Sequence, residues 1–490
     1  MIITSDYKLL PDLVSLRKQE GNGMVVVAQK EGWIYATFYR KFLFPFYETF
    51  LMRRGTLKYL EELERTQWLS EEEIREIQWA KLQKLLQHAY LHVPYYRRKF
   101  QEIGAEPQDI KSMEDFQNFP LLTKEDVRNY QEELIADGYT IEKMCQNETS
   151  GSTGQPLVFF FPRDSYERRF AVKIRSESWV GLEPGDRTFM IWGRYLSQGP
   201  LEKLKEKLYW KVRNVKRVCG YQLDEQSLRR IIEKINRFKP KFIVSYVTPI
   251  YYLAKLAMED GIPLYSPQGI IVSAEKLYPY QKALIEECFQ TKVYNRYGCC
   301  EFMNIAAECS EREGMHINMD TLVVEFVKPE GSSLYGDFGE VVVTDLHNYG
   351  MPFIRYRLGD IARPLNHKCP CGRGLPLMDV VQGRINEVIV TPDGRYVPDH
   401  MFLYVFAETK GVRRYQIIQK TEEALTIKLV PDSSYSPAEE QRMLKMIRSV
   451  LGDRIELKID YVDDIPLDKT GKFKYTISKV AKCRIGKSTC

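Results

Sequence analysis

The feature that most constrains the fold is a repeated alternation of helix and strand patterns between residues 165 and 296. Apolar residues at helical spacing predict helices over residues 165–181, 224–238, 249–260 and 279–289. Short apolar runs predict strands over residues 188–193, 242–246, 269–273 and 292–296. Such alternation is typical of mostly parallel sheets with helices on their faces. We therefore assign the chain to the α/β class, in which ligands bind at the carboxyl ends of the strands.

After residue 322 the pattern changes to strands separated by Gly and Ser turns, and the last hundred or so residues read as a small module. Its predicted order is β-β-α-β, over residues 413–419, 425–429, 437–451 and 455–462. A chain of 490 residues is too long for one hydrophobic core. We expect a large domain over residues 1–382, with mixed αβ sheets, a β-rich subdomain and a helical region over about 1–110. A small α+β domain would cover residues 383–490.

A glycine-rich stretch over residues 149–156 comes directly before a run of apolar and aromatic residues. Its two glycines allow successive backbone N–H groups to point into one concavity, and Ser150, Ser152 and Thr153 add hydroxyl donors. The stretch lacks the Gly-Lys-Ser/Thr ending of a Walker loop, and a strand pattern follows where a Walker loop would begin a helix. It predicts a strand–loop–strand hairpin around a phosphate, although taken alone a plain Ser/Gly turn is the simpler interpretation.

Cys309, His316, Cys369 and Cys371 form a candidate metal site. The pair Cys369-Pro-Cys371 lies in a glycine turn, and Cys309-x6-His316 would complete a Cys₃His set, the usual composition of a structural zinc site. The spacing is irregular, so four unrelated residues are the alternative. Two cysteines one residue apart in a glycine turn are not expected to be buried as ordinary apolar core residues, and this favours a zinc site.

Composition indicates which partners and compartment to expect. The net charge is only +5, which argues weakly against nucleic acid as a partner. Ten cysteines without a signal-peptide pattern at the start fit a reducing cytoplasm. The most apolar run, residues 33–51, contains Arg40, Lys41, Pro45 and Glu48, so it cannot cross a bilayer at low cost. We expect a core-packed aromatic helix there, with an interfacial helix as the alternative.

Six motifs, in this order along residues 62–479, resemble those of the adenylate-forming superfamily of acyl-CoA synthetases. Within it, the chain most resembles the branch of phenylacetate–CoA ligase and the capsule-biosynthesis proteins similar to it. The resemblance implies a phosphate loop formed by Thr149, Ser150, Gly151, Ser152, Thr153 and Gly154. It implies an adenine side formed by Ser273, Ala274, Glu275, Tyr297 and Gly298.

The same resemblance gives roles to single residues. Glu301 would hold Mg²⁺, Asp360 would bind the ribose hydroxyls, and Arg384 would belong to the ATP site. Lys472 would be the catalytic lysine of a mobile C-terminal domain. Asn386, in the stretch Gly-Arg-Ile-Asn, would lie at the hinge between the domains.

The residue types fit the chemistry that the resemblance implies. A carboxylate that attacks the α-phosphorus of ATP brings two anions together, so the site must neutralise charge rather than supply a nucleophile. Mg²⁺ on Glu301 and the point charge of Lys472 meet this need. The chain departs from the superfamily at two places. Leu157 stands where many members have a Lys. Cys299-Cys300 stands where relatives often have small or polar residues beside the acyl pocket, so the resemblance does not identify the acid.

We therefore expect an ATP- and Mg²⁺-dependent ligase that forms an acyl-AMP from a small carboxylic acid. It would pass the acyl group to coenzyme A, to a carrier-protein thiol or to an amine. An adenylyltransferase or amide ligase in cofactor, peptide or surface-polysaccharide biosynthesis is a second interpretation. A non-catalytic assembly protein with the same fold is the third. The sequence is also compatible with a homodimer.

Overall fold

The computed structural model describes residues 30–149, 157–193, 199–220, 224–328, 338–381, 383–384, 388–393, 396–398, 402, 405–406, 409–466 and 473–480. Its first part is helical, with α1 Lys30–Phe38, α2 Thr56–Thr66, α3 Glu71–His92, α4 Pro94–Ile103, α5 Met113–Phe116 and α6 Lys124–Asn129. Ser70 begins α3 with a capping box, because its hydroxyl accepts from the Glu73 N–H at 3.2 Å and the Glu73 carboxylate accepts from the Ser70 N–H at 2.8 Å.

Between α1 and α2, two π-helical turns, Tyr39–Leu43 and Phe46–Leu51, continue the first helix. The expectation of a core-packed aromatic helix is wrong for half of this segment. Tyr39 and Phe44 are buried, but Phe38, Phe42, Phe46 and Phe50 are exposed. The segment lies along one side of the protein body, so only one of its faces packs against other buried residues. In the part of the chain that the structure describes, no helix has the length and hydropathy needed to cross a membrane.

A nine-stranded sheet forms the centre of the large domain, and one end of it is parallel. The parallel strands are β3 Thr188–Trp192, β4 Val215–Cys219, β5 Phe242–Tyr246, β6 Gly269–Ser273 and β7 Val293–Tyr297. The helices around them are α7 Arg163–Ser178, α8 Pro200–Val212, α9 Glu225–Phe238, α10 Val247–Asp260 and α11 Pro279–Phe289. The predicted αβ alternation is confirmed. Two elements of this region, α8 and β4, are missing from the sequence prediction. Strand β4 gave no signal because it is an edge strand with two charged residues and has no continuous apolar run.

The other end of this sheet is antiparallel, and a second sheet accompanies it. The added strands are β8 Ala306–Glu308, β9 Met315–Ile317, β13 Pro364–Leu365 and β14 Leu377–Met378. A four-stranded antiparallel sheet contains β10 Leu322–Val327, β11 Gly339–Asp345, β12 Tyr356–Ala362 and β15 Gly383–Arg384. One continuous apolar core joins the N-terminal helices to these strands. The expected β-rich subdomain is therefore present.

The C-terminal module has its own sheet, and its buried apolar residues form a cluster that also includes Tyr278 of the large domain. The module contains β16 Val388–Val390, β17 Tyr396–Pro398, β18 Val412–Gln419, β19 Ala424–Pro431, α12 Pro437–Leu451, β20 Glu456–Tyr461 and β21 Thr476–Ser478. The predicted β-β-α-β order is confirmed, and β21 adds a parallel fourth strand beside β18. Ile417, Ile427, Met443 and Ile447 are fully buried between the sheet and α12.

Candidate active site

Six of the predicted site residues lie at or just after the carboxyl ends of β6 and β7: Ser273, Ala274, Glu275, Tyr297, Gly298 and Glu301. These strands are parallel neighbours, so the loops that follow them leave the same edge of the sheet. Ser273 ends β6, and its hydroxyl donates to the Arg296 carbonyl of β7 at 2.8 Å. Ala274 has a φ of 69°, a left-handed conformation that turns the chain sharply out of the strand. The carboxylate of Glu275 accepts the Thr248 N–H at 2.6 Å, so it also stabilises the first turn of α10.

Tyr297 and Asp360 link the two large sheets. Tyr297 is the last residue of β7, and Asp360 lies in β12 of the antiparallel sheet. The Tyr297 hydroxyl donates to the Asp360 carboxylate at 2.8 Å. The residue expected beside adenine and the residue expected beside ribose are thus in direct contact, although they are 63 positions apart in the sequence.

The loop after β7 is held by close backbone contacts. The Met303 N–H donates to the Cys299 carbonyl at 2.8 Å, and the Ile305 N–H donates to the Tyr297 carbonyl at 2.9 Å. A Cβ atom on Gly298 would lie 2.1 Å from the Met303 carbonyl oxygen, so only glycine fits at this position. The loop therefore presents Glu301 at a fixed place beside Tyr297.

Glu301 is a buried carboxylate that receives neutral donors. The Tyr356 hydroxyl donates to it at 3.1 Å. The Cys299 thiol also donates to it, and burial together with the charge of Glu301 raises the pKa of this thiol well above its ordinary value. The same two causes raise the pKa of Tyr356. Both groups therefore stay protonated, so they donate hydrogen bonds to Glu301 without bringing a positive charge to it.

The sequence does not reveal the contacts of Tyr356 and Cys299 with Glu301. Tyr356 stands four positions before Asp360 in the same strand, and the contacts of the two side chains place both of them on the side of the site. The pairing of β12 with β11 is irregular between these two residues, and Gly359 has a φ of 81°, so strand alternation in the sequence does not predict this arrangement. The two arginines that flank Tyr356 have different partners: Arg355 binds Glu325 at 2.9 Å, and Arg357 binds Glu340 at 2.6 Å. These ion pairs link the beginning of β12 to β10 and β11, whereas Tyr356 and Asp360 face the site.

The predicted phosphate hairpin is present up to the base of its loop. β1 Cys145–Glu148 and β2 Val158–Phe161 pair in antiparallel register. The Thr149 N–H donates to the Leu157 carbonyl at 3.0 Å, and the Leu157 N–H donates to the Thr149 hydroxyl at 3.1 Å. The Asn147 amide donates to the Cys300 carbonyl at 3.3 Å, so the hairpin touches the loop that carries Glu301.

Several predicted residues lie outside the described part of the chain. The tip of the phosphate loop is one group: Ser150, Gly151, Ser152, Thr153 and Gly154. Lys472 and Asn386 also lie outside it. Arg384 is described in β15, where its backbone pairs with that of Asp360.

The four predicted metal ligands form a second cluster. Cys309, His316, Cys369 and Cys371 each offer one ligand atom, and all four atoms lie within 4.8 Å of one another. The sulfurs of Cys309 and Cys369 are 3.6 Å apart, and the Cys371 sulfur is 3.3 Å from His316 Nε2. These separations resemble the edges of a tetrahedron around an ion with bonds of about 2.0–2.3 Å. The cluster joins the loop after β8 and strand β9 to the segment between β13 and β14.

Known proteins similar to this chain are mainly ligases. Residues 389–479 match the family model of the CapK C-terminal domain. The phenylacetate–coenzyme A ligase of Aromatoleum evansii is 31% identical over 342 residues, which cover 67% of this chain and 74% of the relative. The phenylacetate–coenzyme A ligase of Escherichia coli (strain K12) is 28% identical, over 81% of this chain and 93% of the relative. Protein CapK of Staphylococcus aureus is 23% identical, over 88% of this chain and 94% of the relative.

Solved structures share the fold. The 2-hydroxyisobutyryl-CoA ligase in its postadenylation state, in complex with R3-HIB-AMP, gives a TM-score of 0.67. The identity is 22%, and the match covers 87% of this chain and 94% of that chain. An open conformation of the same ligase, in complex with 2-HIB-AMP and CoA, gives a TM-score of 0.59 at 24% identity. The match covers 84% of this chain and 93% of that chain.

Proposed function

The chain belongs to the phenylacetate–coenzyme A ligase family of adenylate-forming enzymes, and we propose that it activates a carboxylic acid with Mg²⁺ and ATP and passes the acyl group to coenzyme A. The observation that carries the proposal is the 2.8 Å contact between Tyr297 and Asp360. It joins the two elements that would hold the adenosine of ATP. Two ribose hydroxyls can donate to the remaining lone pairs of the Asp360 carboxylate.

Glu301 is the residue that would hold Mg²⁺. Mg²⁺ binds proteins through one or two carboxylates and keeps its other positions for phosphate oxygens and water. A buried carboxylate whose partners Tyr356 and Cys299 are neutral suits this role, because neither partner brings a positive charge that would repel the ion. The ion would supply positive charge to the phosphate oxygens as the acid approaches.

The protein's own groups would then orient and stabilise the reactants. The acid oxygen forms a bond to the α-phosphorus, the bond from that phosphorus to the β-phosphate oxygen breaks, and pyrophosphate leaves. Lys472 would neutralise both the incoming carboxylate and the α-phosphate at this moment. In the second step the thiol sulfur bonds to the acyl carbon, AMP leaves, and the thiol proton passes to solvent.

Coenzyme A is the acceptor that the relatives favour, because several of them are named as coenzyme A ligases. Incubation of the protein with ATP, Mg²⁺, coenzyme A and a panel of carboxylic acids should yield an acyl-CoA detectable by mass spectrometry. A parallel reaction with hydroxylamine, which traps acyl-AMP chemically, reports the first step alone, and reactions with amine acceptors test amide formation. An acyl-AMP that reacts with amines and never with coenzyme A would contradict the choice of acceptor.

The C-terminal module would move between the two steps. It has its own sheet, and the CapK C-terminal domain model matches residues 389–479. We place the boundary near residues 383–386, so that residues 1–382 form the large domain and residues 383–490 the small one. Lys472 must approach the phosphates in the first step, whereas coenzyme A must reach the same acyl carbon in the second. One fixed arrangement cannot easily serve both steps.

We also assign a structural zinc ion to the Cys309, His316, Cys369 and Cys371 cluster. His316 Nδ1 lies 3.1 Å from the Leu375 carbonyl, a contact that leaves Nε2 directed at the thiols. Four protein ligands leave no open position for a substrate, so the ion would stabilise the fold rather than take part in the reaction. It would fasten the β13–β14 segment to the antiparallel end of the central sheet.

A further inference from the structure

A row of exposed apolar side chains runs along the first helical segment of the described chain. Its members stand four residues apart and are between 50% and 70% exposed: Ile34, Phe38, Phe42, Phe46 and Phe50. We call this row the aromatic stripe. Four residues of an α-helix overshoot one turn by about 40°. The two π turns have more residues per turn and offset this drift, which keeps the stripe on one side over about 25 Å.

The opposite side of the same segment is fixed to the protein body. Tyr39 and Phe44 are buried in one cluster with Phe170 and Ile174 of α7. Glu48 is fully buried, accepts from the Thr56 hydroxyl at 2.9 Å and pairs with Arg54 at 3.4 Å. Because these contacts set the rotation of the segment, the stripe faces outward as part of the folded structure.

A second exposed apolar row lies beside the stripe. In α8, Leu204, Leu208 and Val212 also stand four apart and are 62%, 60% and 41% exposed. We call them the α8 row. The Tyr35 hydroxyl donates to the Val212 carbonyl at 2.6 Å, so the end of α8 is in contact with the beginning of the stripe segment.

Basic residues accompany both rows. Helix α8 contains four lysines and two glutamates, and all of its lysines are exposed: Lys203, Lys205, Lys207 and Lys211. One of the glutamates, Glu206, pairs with Arg217 at 3.3 Å. Lys41 and Arg53 are exposed in and just after the stripe segment. The whole chain carries a net charge of only +5, so this surface is locally more basic than the protein as a whole.

We propose that the aromatic stripe and the α8 row lie on the surface of an anionic lipid bilayer. Phe and Leu side chains would enter the boundary between headgroups and acyl chains, and the lysines would contact anionic headgroups. A protein partner fits less well, because protein–protein interfaces are depleted of lysine. This attachment is peripheral, in keeping with the lack of a membrane-spanning helix among the described residues.

Sedimentation with vesicles tests the proposal on the full chain. We expect the protein to pellet with phosphatidylcholine vesicles that contain phosphatidylglycerol, to pellet less with phosphatidylcholine alone, and to be released by salt. Phe42→Ser with Phe46→Ser should lower the partition coefficient by about tenfold or more. Lys205→Glu with Lys207→Glu should lower binding to the anionic vesicles selectively.

The controls separate lipid binding from loss of structure. Leu91→Ser with Ile103→Ser removes two other exposed apolar side chains, 48% and 42% exposed, and should leave binding unchanged. Acyl-CoA formation in solution and melting temperature should be unchanged in the stripe variants. As a milder probe, Phe46→Trp should add to the emission of the six native tryptophans a component that is blue-shifted by vesicles and quenched by brominated lipid, seen as a difference from the wild type.

Three results would overturn the proposal. The first is wild-type protein that stays in the supernatant with both kinds of vesicle. The second is a folded Phe42→Ser/Phe46→Ser variant that pellets like the wild type. The third is a wild-type dimer that ignores vesicles and becomes monomeric when the stripe is altered, which would assign the surface to a second copy of the chain.

Discussion

Replacing Tyr297 by Phe tests the contact on which the ATP site depends. The substitution removes the hydroxyl that donates to Asp360 at 2.8 Å and keeps the ring that we propose packs on adenine. A hydrogen bond to a charged group contributes about 1.5–3 kcal/mol. Tyr297 is half-buried, so water can replace part of the lost contact. We expect a loss of about 1–2 kcal/mol, which corresponds to a roughly 5- to 30-fold rise in the KM for ATP.

The double variant with Asp360→Ala makes the prediction specific. Asp360→Ala removes both the acceptor and the proposed ribose ligand, so it should raise the KM for ATP more than Tyr297→Phe does. If the hydroxyl acts through Asp360, adding Tyr297→Phe to Asp360→Ala should cost little more. The assay is ATP–pyrophosphate exchange at saturating acid, with ATP varied.

Tyr461→Phe is the matched control, because its hydroxyl also donates to a carboxylate, that of Glu440, in the C-terminal module. It should leave the KM for ATP unchanged. Folded variants in which the effects of Tyr297→Phe and Asp360→Ala simply add would refute the reasoning, since the two groups would then act independently.

Three further predictions concern the lysine, the metal cluster and the hinge. Lys472→Ala should bind ATP nearly as the wild type does and adenylate its acid slower by orders of magnitude, measured by single-turnover kinetics, and a wild-type rate would remove its assigned role. Cys371→Ser should lower both the zinc content, expected at about one equivalent, and the melting temperature. Cys288→Ser, outside the cluster, should retain the metal, and metal-free wild-type protein of normal stability would exclude zinc. Asn386→Pro should stop one half-reaction and spare the other in a protein of unchanged melting temperature, whereas equal effects on both would argue against a hinge there.

A strand or helix could be predicted where the apolar pattern of its sequence matches the burial of its residues in the fold. Strands β5 and β6 are buried on both faces, so their continuous apolar runs identify them. Strand β4 is an edge strand with a lysine and an arginine, and local sequence gives no comparable signal. The segment over residues 33–51 shows the opposite problem, because its aromatic residues fill both faces. Composition cannot tell which face is buried, and only the contact with α7 decides it.

The candidate site was predictable as a set of motifs and less so as a set of contacts. Glu301 and Asp360 could be found from their order along the chain. Tyr297 could also be found from its motif, but its contact with Asp360 could not, and neither could the contact of Tyr356 with Glu301. Each contact joins β12 to the end of β7 or to the loop after it, which local sequence does not show. The cysteine cluster is an intermediate case: the Cys369–Cys371 turn is visible in the sequence, whereas its meeting with Cys309 and His316 depends on the pairing of β8, β9 and β14.

The most direct measurement of the central claim follows the oxygen atoms of the acid. An acid that supports acyl-CoA formation is labelled with oxygen-18 in its carboxylate, and the products are examined by mass spectrometry. If the carboxylate attacks the α-phosphorus of ATP, AMP must carry one labelled oxygen, and pyrophosphate must carry none. Unlabelled AMP, or label in inorganic phosphate with ADP as the other product, would contradict adenylate formation.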